Sequence, residues 1–317
     1  MCARADTRQS PSWPVTCRTR RGRAAKPADC GHSNDTRLGI ISGVLLPPTQ
    51  RVRLRAAPDR SKKAIARTLA AAMTKRHWHR AAVIKSTADA SVLGGVVVVG
   101  DDALSVIAKT RAVATLGEAL KAAVRCAALD RQRRALSWLG GHGFAVPRWI
   151  VHVSGVHEGR AVQTLFLEAL SGPTLLGAMQ REPARASAAR EGVGRLIGGL
   201  LRAGRVHRDF KPSNLILQGE GVVMIDAPIR RVRPLGRGAA LARMLRDLSL
   251  EPVGAGVAPP ERWLEDVAAY ALLTWWGRTP PAAAVEAVVR RVRSAVEAHG
   301  DARLRDEPVE AGELPRI

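Results

Sequence analysis

The sequence predicts an α+β chain of two lobes, a small β-rich lobe followed by a mainly helical one. Three observations carry this reading. From about residue 80, short β-branched runs alternate with Gly and Asp turns. Residues 115 to 139 interrupt them with apolar positions at helical spacing. After "SGPTL" (Ser171 to Leu175) the pattern becomes mostly helical.

Taken in order, residues 1 to 72 mix Arg, Pro, Ser and Gly without a sustained period, and Pro11, Pro14, Pro27, Pro47, Pro48 and Pro58 interrupt them. Little fixed structure is expected there, so the segment reads as a disordered basic tail. Met73 stands just before the first convincing strand and offers an alternative start; another reading makes "KKAIARTLAAAM" a short amphipathic helix. "RAAVIKST", "GGVVVVG" and "LSVIAKTRAV" then predict three antiparallel strands, with "GDDA" (Gly100 to Ala103) as a hairpin turn. Leu116, Leu120, Val124, Ala128, Leu136 and Leu139 predict a helix or a broken pair, ended by Gly140 and Gly141. "FAVPRWIVHVSG" and "AVQTLFLEAL" follow as strands. The first lobe is thus 73–168 and the second 169–317, hinged near Glu168 to Leu170, with no internal repeat.

Formal charge is +22, and residues 1 to 80 hold 18 Lys and Arg against four Asp, so the basic part is the first quarter. Such a segment attracts polyanions, but it reads first as a solvated tail. Nucleic acid is not expected as a partner; peripheral contact with an anionic membrane stays open. Aromatic residues are scarce, with seven Trp, three Phe and one Tyr. The four cysteines (Cys2, Cys17, Cys30, Cys126) form no CxxC pair, which argues against a zinc site or a disulfide scaffold and fits a reducing cytoplasm. "VLGGVVVVG" is too short to cross a bilayer, and the N-terminus lacks an apolar signal segment. A cytoplasmic location is expected, with any membrane contact peripheral on the inner face.

The chemistry concentrates in "VHRDFKPSNLILQGEGVVMIDAP", Val206 to Pro228. Leu215 to Leu217 and Val223 to Ile225 are apolar arms around a Gly-containing bend. Folding them antiparallel brings Asn214 and Asp226 together at the open end. An amide oxygen beside a carboxylate suits magnesium, which takes oxygen ligands and leaves positions for substrate phosphates. Asp209, on the preceding loop, comes within reach of an acceptor hydroxyl, with His207 and Arg208 supporting the loop from behind.

"HRDFKPSN" resembles the catalytic loop of the protein-kinase-like superfamily, with Asp226 at the position of its later metal-binding Asp. The resemblance implies a bilobal kinase-like fold with a nucleotide-binding first lobe, and ATP and Mg2+ as cofactors. It also implies that Asp209 orients or deprotonates the acceptor hydroxyl, that Asn214 and Asp226 hold magnesium, and that Lys211 neutralises charge on the moving phosphoryl group. "VIAK" (Val106 to Lys109) then resembles the strand whose lysine grips the nucleotide phosphates. "FLEALSGPTL", with Glu168, resembles the interlobe segment that receives adenine.

Three departures accompany the resemblance. Asp226-Ala227-Pro228 stands where many kinases have Asp-Phe-Gly, and "STADASVLGG" is no GxGxxG loop. For the acidic partner of Lys109, Asp130 has a suitable separation, Gln132 sits where the helix register wants Glu, and Glu118 is too close; Asp130 is the choice.

The region after Asp226 carries an Arg-rich run, then Arg246-Asp247-Leu248, then "ERWLEDVAAY". It is similar to bacterial lipopolysaccharide core kinases, which phosphorylate Kdo or heptose sugars, with Tyr270 ending the helix; "GHGFAVPRW" resembles their link after the first helix. Arg230, Arg231, Arg233 and Arg237 suit an anionic glycolipid acceptor. A Ser/Thr protein kinase is the alternative, favoured by "KPSN" and by Ala258-Pro259-Pro260-Glu261. A third reading is a catalytically silent kinase-like binding module.

Overall fold

Runs that carry β-branched residues form one antiparallel six-stranded sheet, because β-branched side chains pack well on a pleated surface. The structure is a computed structural model and describes residues 50–56, 78–99 and 102–299, all within one compact unit. The strands are β1 (Gln50–Ala56), β2 (Trp78–Thr87), β3 (Ala90–Val99), β4 (Asp102–Ala112), β5 (Trp149–His157) and β6 (Arg160–Glu168). Their spatial order is β1-β5-β6-β4-β3-β2. Strand β6 lies inside the sheet, and its Val162 to Leu167 are all buried. The two polar members of that run are Gln163 and Thr164, and Thr164 meets the hydroxyl of Thr110 on β4 at 2.9 Å. The β5–β6 turn uses Glu158 at φ 48° and Gly159 at φ 77°, the left-handed pair that suits a two-residue hairpin. Val99 pairs with Asp102, while the two residues between them lie outside the described residues.

The expectation of little fixed structure in residues 1–72 fails at Gln50–Ala56, which forms β1 on the edge of β5. "QRVRLRA" alternates Arg with Val52 and Leu54 at period two. Its arginines and flanking prolines give it the look of tail. A chain beginning at Met73 would lack this strand, and Lys109 lies on the fourth strand of the fold, not the third. The rest of 1–72, Met73 and "KKAIARTLAAAM" lie outside the described residues.

Of the two helix readings for 115 to 139, the broken pair is found: α1 (Leu116–Ala123) and α2 (Ala128–Gly141). Thr115 and Glu118 form a reciprocal capping box at the start of α1. The break falls at Arg125, φ 61°, whose carbonyl is held by Arg134 of α2 at 2.8 Å. As expected, α2 ends at Gly141, and Gly143 at φ 79° then turns the chain, with Phe144 N–H donating to Leu139 O at 3.0 Å.

The second half is helical: α3 (Leu175–Arg181), α4 (Pro183–Ala188), α5 (Arg190–Arg202), α6 (Arg237–Gly254), α7 (Trp263–Trp276) and α8 (Ala282–Glu297). Between α5 and α6 lie β7 (Arg205–His207), β8 (Leu215–Gln218), β9 (Gly221–Met224) and β10 (Ile229–Arg231); β8 pairs with β9 and β7 with β10. One apolar core joins Leu136 and Leu139 of α2 and Leu165 and Leu167 of β6 to the helices of the second half. Glycines let α5 and α7 close on each other. A Cβ at Gly194 would lie 2.5 Å from Cβ of Tyr270, and one at Gly198 2.4 Å from the carbonyl of Ala271. Tyr270 therefore sits mid-helix against α5, and α7 continues to Trp276 instead of ending at the tyrosine. Thus the chain is α+β, a β-rich first part with one helix pair and a mainly helical second part.

Candidate active site

The β8–β9 hairpin is tighter than the sequence suggests. Gln218 pairs with Gly221, so Gly219, at φ 58°, and Glu220 make the whole turn, and Leu215 faces Met224. At the open end Ile225 N–H donates to the backbone oxygen of Asn214 at 3.0 Å, which brings the Asn214 and Asp226 segments together as expected. The link after β6 is stitched to the same hairpin. Leu217 N–H donates to Pro173 O at 2.9 Å, and Gly172, at φ 118°, would place a Cβ 2.2 Å from Leu217 O. Only glycine fits there.

Asp209 and Asn214 are bound to each other across the loop. The Asn214 amide donates to the Asp209 backbone oxygen at 3.0 Å and to its carboxylate at 3.4 Å. Lys211 Nζ lies 3.2 Å from Asp209 Oδ1. Lys109, on β4, reaches Asp226 Oδ1 at 3.6 Å. The five residues Asp209, Lys211, Asn214, Asp226 and Lys109 are therefore linked in two groups, and the hairpin joins the groups.

Buried His207 ties the loop to the acid. Asp209 N–H donates to its Nδ1 at 3.2 Å, so the ring proton sits on Nε2, which donates to Asp226 O at 2.7 Å. Burial pushes the His207 pKa below its usual value, outweighing the opposing pull of the Asp226 carbonyl and the nearby carboxylates. A neutral ring with one donor and one acceptor is what these two bonds require. Phe210 packs edge-on against it, with ring centroids 5.5 Å apart.

Asp130 is a correction. Its carboxylate, 2% exposed, does not pair with Lys109. It faces Arg55 of β1 at 3.6 Å and His152 of β5 at 3.7 Å. Burial drives the His152 pKa down to about 4 against the pull of Asp130, so this histidine is neutral at pH 7. Gln132 is the α2 residue that enters the site. Its amide donates to Asp226 Oδ1 at 2.9 Å. Glu118 is spent on the cap of α1, accepting from Ala114 and Thr115 N–H.

Glu168 ends β6, and its side chain faces Arg148 at 3.5 Å. Its N–H donates to Arg148 O at 2.9 Å and that of Ala169 to Ser105 O at 3.0 Å, so both groups are already engaged within the protein.

Two supports escaped the sequence reading. Glu251 on α6 accepts both the N–H and the hydroxyl of Ser213, at 2.8 and 2.5 Å, fixing the loop from below. Arg243 on α6 donates to Arg208 O at 3.1 Å. Neither pairing had a local signal, since each spans more than 30 residues. Arg230, Arg231 and Arg233 are exposed beyond Asp226.

The donor chemistry suits a hard divalent cation. Asn214 has an amide oxygen and Asp226 a carboxylate, and among the described residues no cluster of three or more His, Cys, Asp or Glu forms an all-protein cage. Such a sparse oxygen set matches magnesium, which takes its remaining ligands from substrate phosphates and water. Among the described residues no helix is long and apolar enough to cross a membrane.

No protein family of known sequence pattern matches the chain, and no curated protein does. Among solved structures the chain is similar to WaaP in complex with acyl carrier protein, at 16% identity and a TM-score of 0.48, over 80% of this chain and 100% of that one.

Proposed function

We propose that the chain is an ATP-dependent phosphotransferase with an alcohol acceptor, and that the acceptor is a sugar hydroxyl of lipopolysaccharide core or a related glycolipid. The observation that carries the reading is the linkage of Asp209 to Asn214 and of Lys109 to Asp226 at the ends of one hairpin. Asn214 and Asp226 would hold Mg2+, which when bound neutralises phosphate charge. Lys109 binds the nucleotide phosphates, exchanging its Asp226 partner for them. Asp209 accepts the proton of the acceptor hydroxyl while that oxygen bonds to the γ-phosphorus and the bond to the ADP oxygen breaks. Lys211, beside Asp209, meets the negative charge of the transferred group. His207 keeps the Asp209 and Asp226 backbones in register.

The exposed Arg230, Arg231 and Arg233 follow Asp226 directly and favour an anionic acceptor over a neutral one. Peripheral contact with an anionic membrane belongs to the same reading. The Ser/Thr protein kinase alternative keeps "KPSN" and Ala258-Pro259-Pro260-Glu261 in its favour. Transfer of labelled γ-phosphate, measured in parallel on core lipopolysaccharide and on a protein mixture, separates the two, and absence of nucleotide binding would favour the silent module.

A further inference from the structure

We propose that Gln132 positions the Asp226 carboxylate as a neutral donor, and that β1 sets Gln132 in place by holding Asp130; this rests on the phosphotransferase reading above. Among the described residues the contacts of Asp226 converge on Oδ1: Gln132 Nε2 at 2.9 Å, Ala227 N–H at 3.0 Å and Lys109 Nζ at 3.6 Å. Holding one oxygen from three sides aims the other outward, toward a ligand. The donor comes from a residue 94 positions earlier, so the contact sets the distance between α2 and the hairpin.

Neutrality matters to this role. A glutamate at 132 would bring a second carboxylate against Asp226, and two such groups in contact cannot both stay ionised without strong repulsion. It would also compete with the nucleotide phosphates for Lys109. Glutamine supplies the donor without either effect.

The other face of α2 explains how Gln132 is aimed. Residues two apart on a helix point to nearly opposite sides. Asp130 turns to the sheet, where Arg55 of β1 faces it at 3.6 Å beside the neutral His152 of β5, and Gln132 is left facing the hairpin. Arg133 adds a second hold, its guanidinium 5.2 Å from the Trp149 ring on β5. The edge strand that the sequence hides is thereby part of the support of the site.

The test uses the full chain with Gln132→Met, which keeps the length of the side chain and removes the donor, and Gln132→Glu. In the ligand-free protein, a urea-unfolding cycle of Gln132→Met with Asp226→Ala reads their coupling, expected as about a fivefold or larger factor in the unfolding equilibrium. Titrating Mg2+ with ADP present and following the melting temperature gives the second readout. Gln132→Met is expected to raise the half-maximal Mg2+ concentration about tenfold. Gln132→Glu is expected to raise it further and to lower kcat, and Arg55→Gln to raise it in the same direction by less. A coupling factor of one, or a Gln132→Glu protein as good as the wild type, overturns the proposal, the latter showing that a Lys109–glutamate pair serves the site as well. An unchanged midpoint in Arg55→Gln overturns the part assigned to β1. Coupling present in a wild-type chain that does not respond to Mg·ADP leaves the positioning intact and removes the phosphotransferase reading.

Discussion

His207 shows how one side chain organises the site. It is fully buried, it bonds two separate backbones, and its neutral form is the one both bonds demand. His207→Phe would keep the ring and lose both bonds, leaving Asp209 N–H and Asp226 O without their protein partners. The expected loss is about 3 kcal/mol in urea unfolding, with transfer activity falling as well. At this scale the sequence was partly legible. Asp209, Asn214 and Asp226 lie where an ordered, closely spaced motif puts them, because loop and hairpin are local structures. Asp130 was misassigned because separation along the chain cannot say which face of α2 meets the sheet. Gln132 was among the alternatives, but a neutral amide gave no sign that its partner is Asp226 and not Lys109. Glu251 and Arg243 gave no sign at all, since their partners lie more than 30 residues away.

Among the elements, the α5–α7 contact is the one most dependent on small residues. Gly198→Ala forces a Cβ to 2.4 Å from Ala271 O, and separating two packed helices is expected to cost about 3 kcal/mol in chemical denaturation. Gly141→Ala, at the last residue of α2 with nothing within 4 Å of the added Cβ, is the control and is expected to change stability by less than about 0.5 kcal/mol. The strands from 78 onward and the hairpin at 215–224 were legible from alternation and turn residues. Strand β1 was not, because its apolar positions are only Val52 and Leu54 among arginines, and what makes it a strand is the open edge of β5. In isolation the glycines of α5 would weaken a helix. Only the approach of α7 explains them.

For the whole molecule, the burial of His152 joins stability to pH. Native His152 titrates near 4 against 6.5 for the free side chain, so between these values the unfolded chain binds the extra proton. Stability is then complete above pH 6.5 and falls as pH drops toward 4, by up to about 3 kcal/mol. His152→Gln is expected to flatten that part of the unfolding-versus-pH curve. The site that this scaffold holds is the one proposed to transfer phosphate. Its most direct test is transfer of labelled γ-phosphate from ATP to core lipopolysaccharide by the wild type, Asp209→Asn and Asp226→Asn. Expected are transfer by the wild type and a loss of at least about a hundredfold in each variant, with melting temperatures near that of the wild type. Transfer that survives either substitution in a folded protein would contradict that proposal.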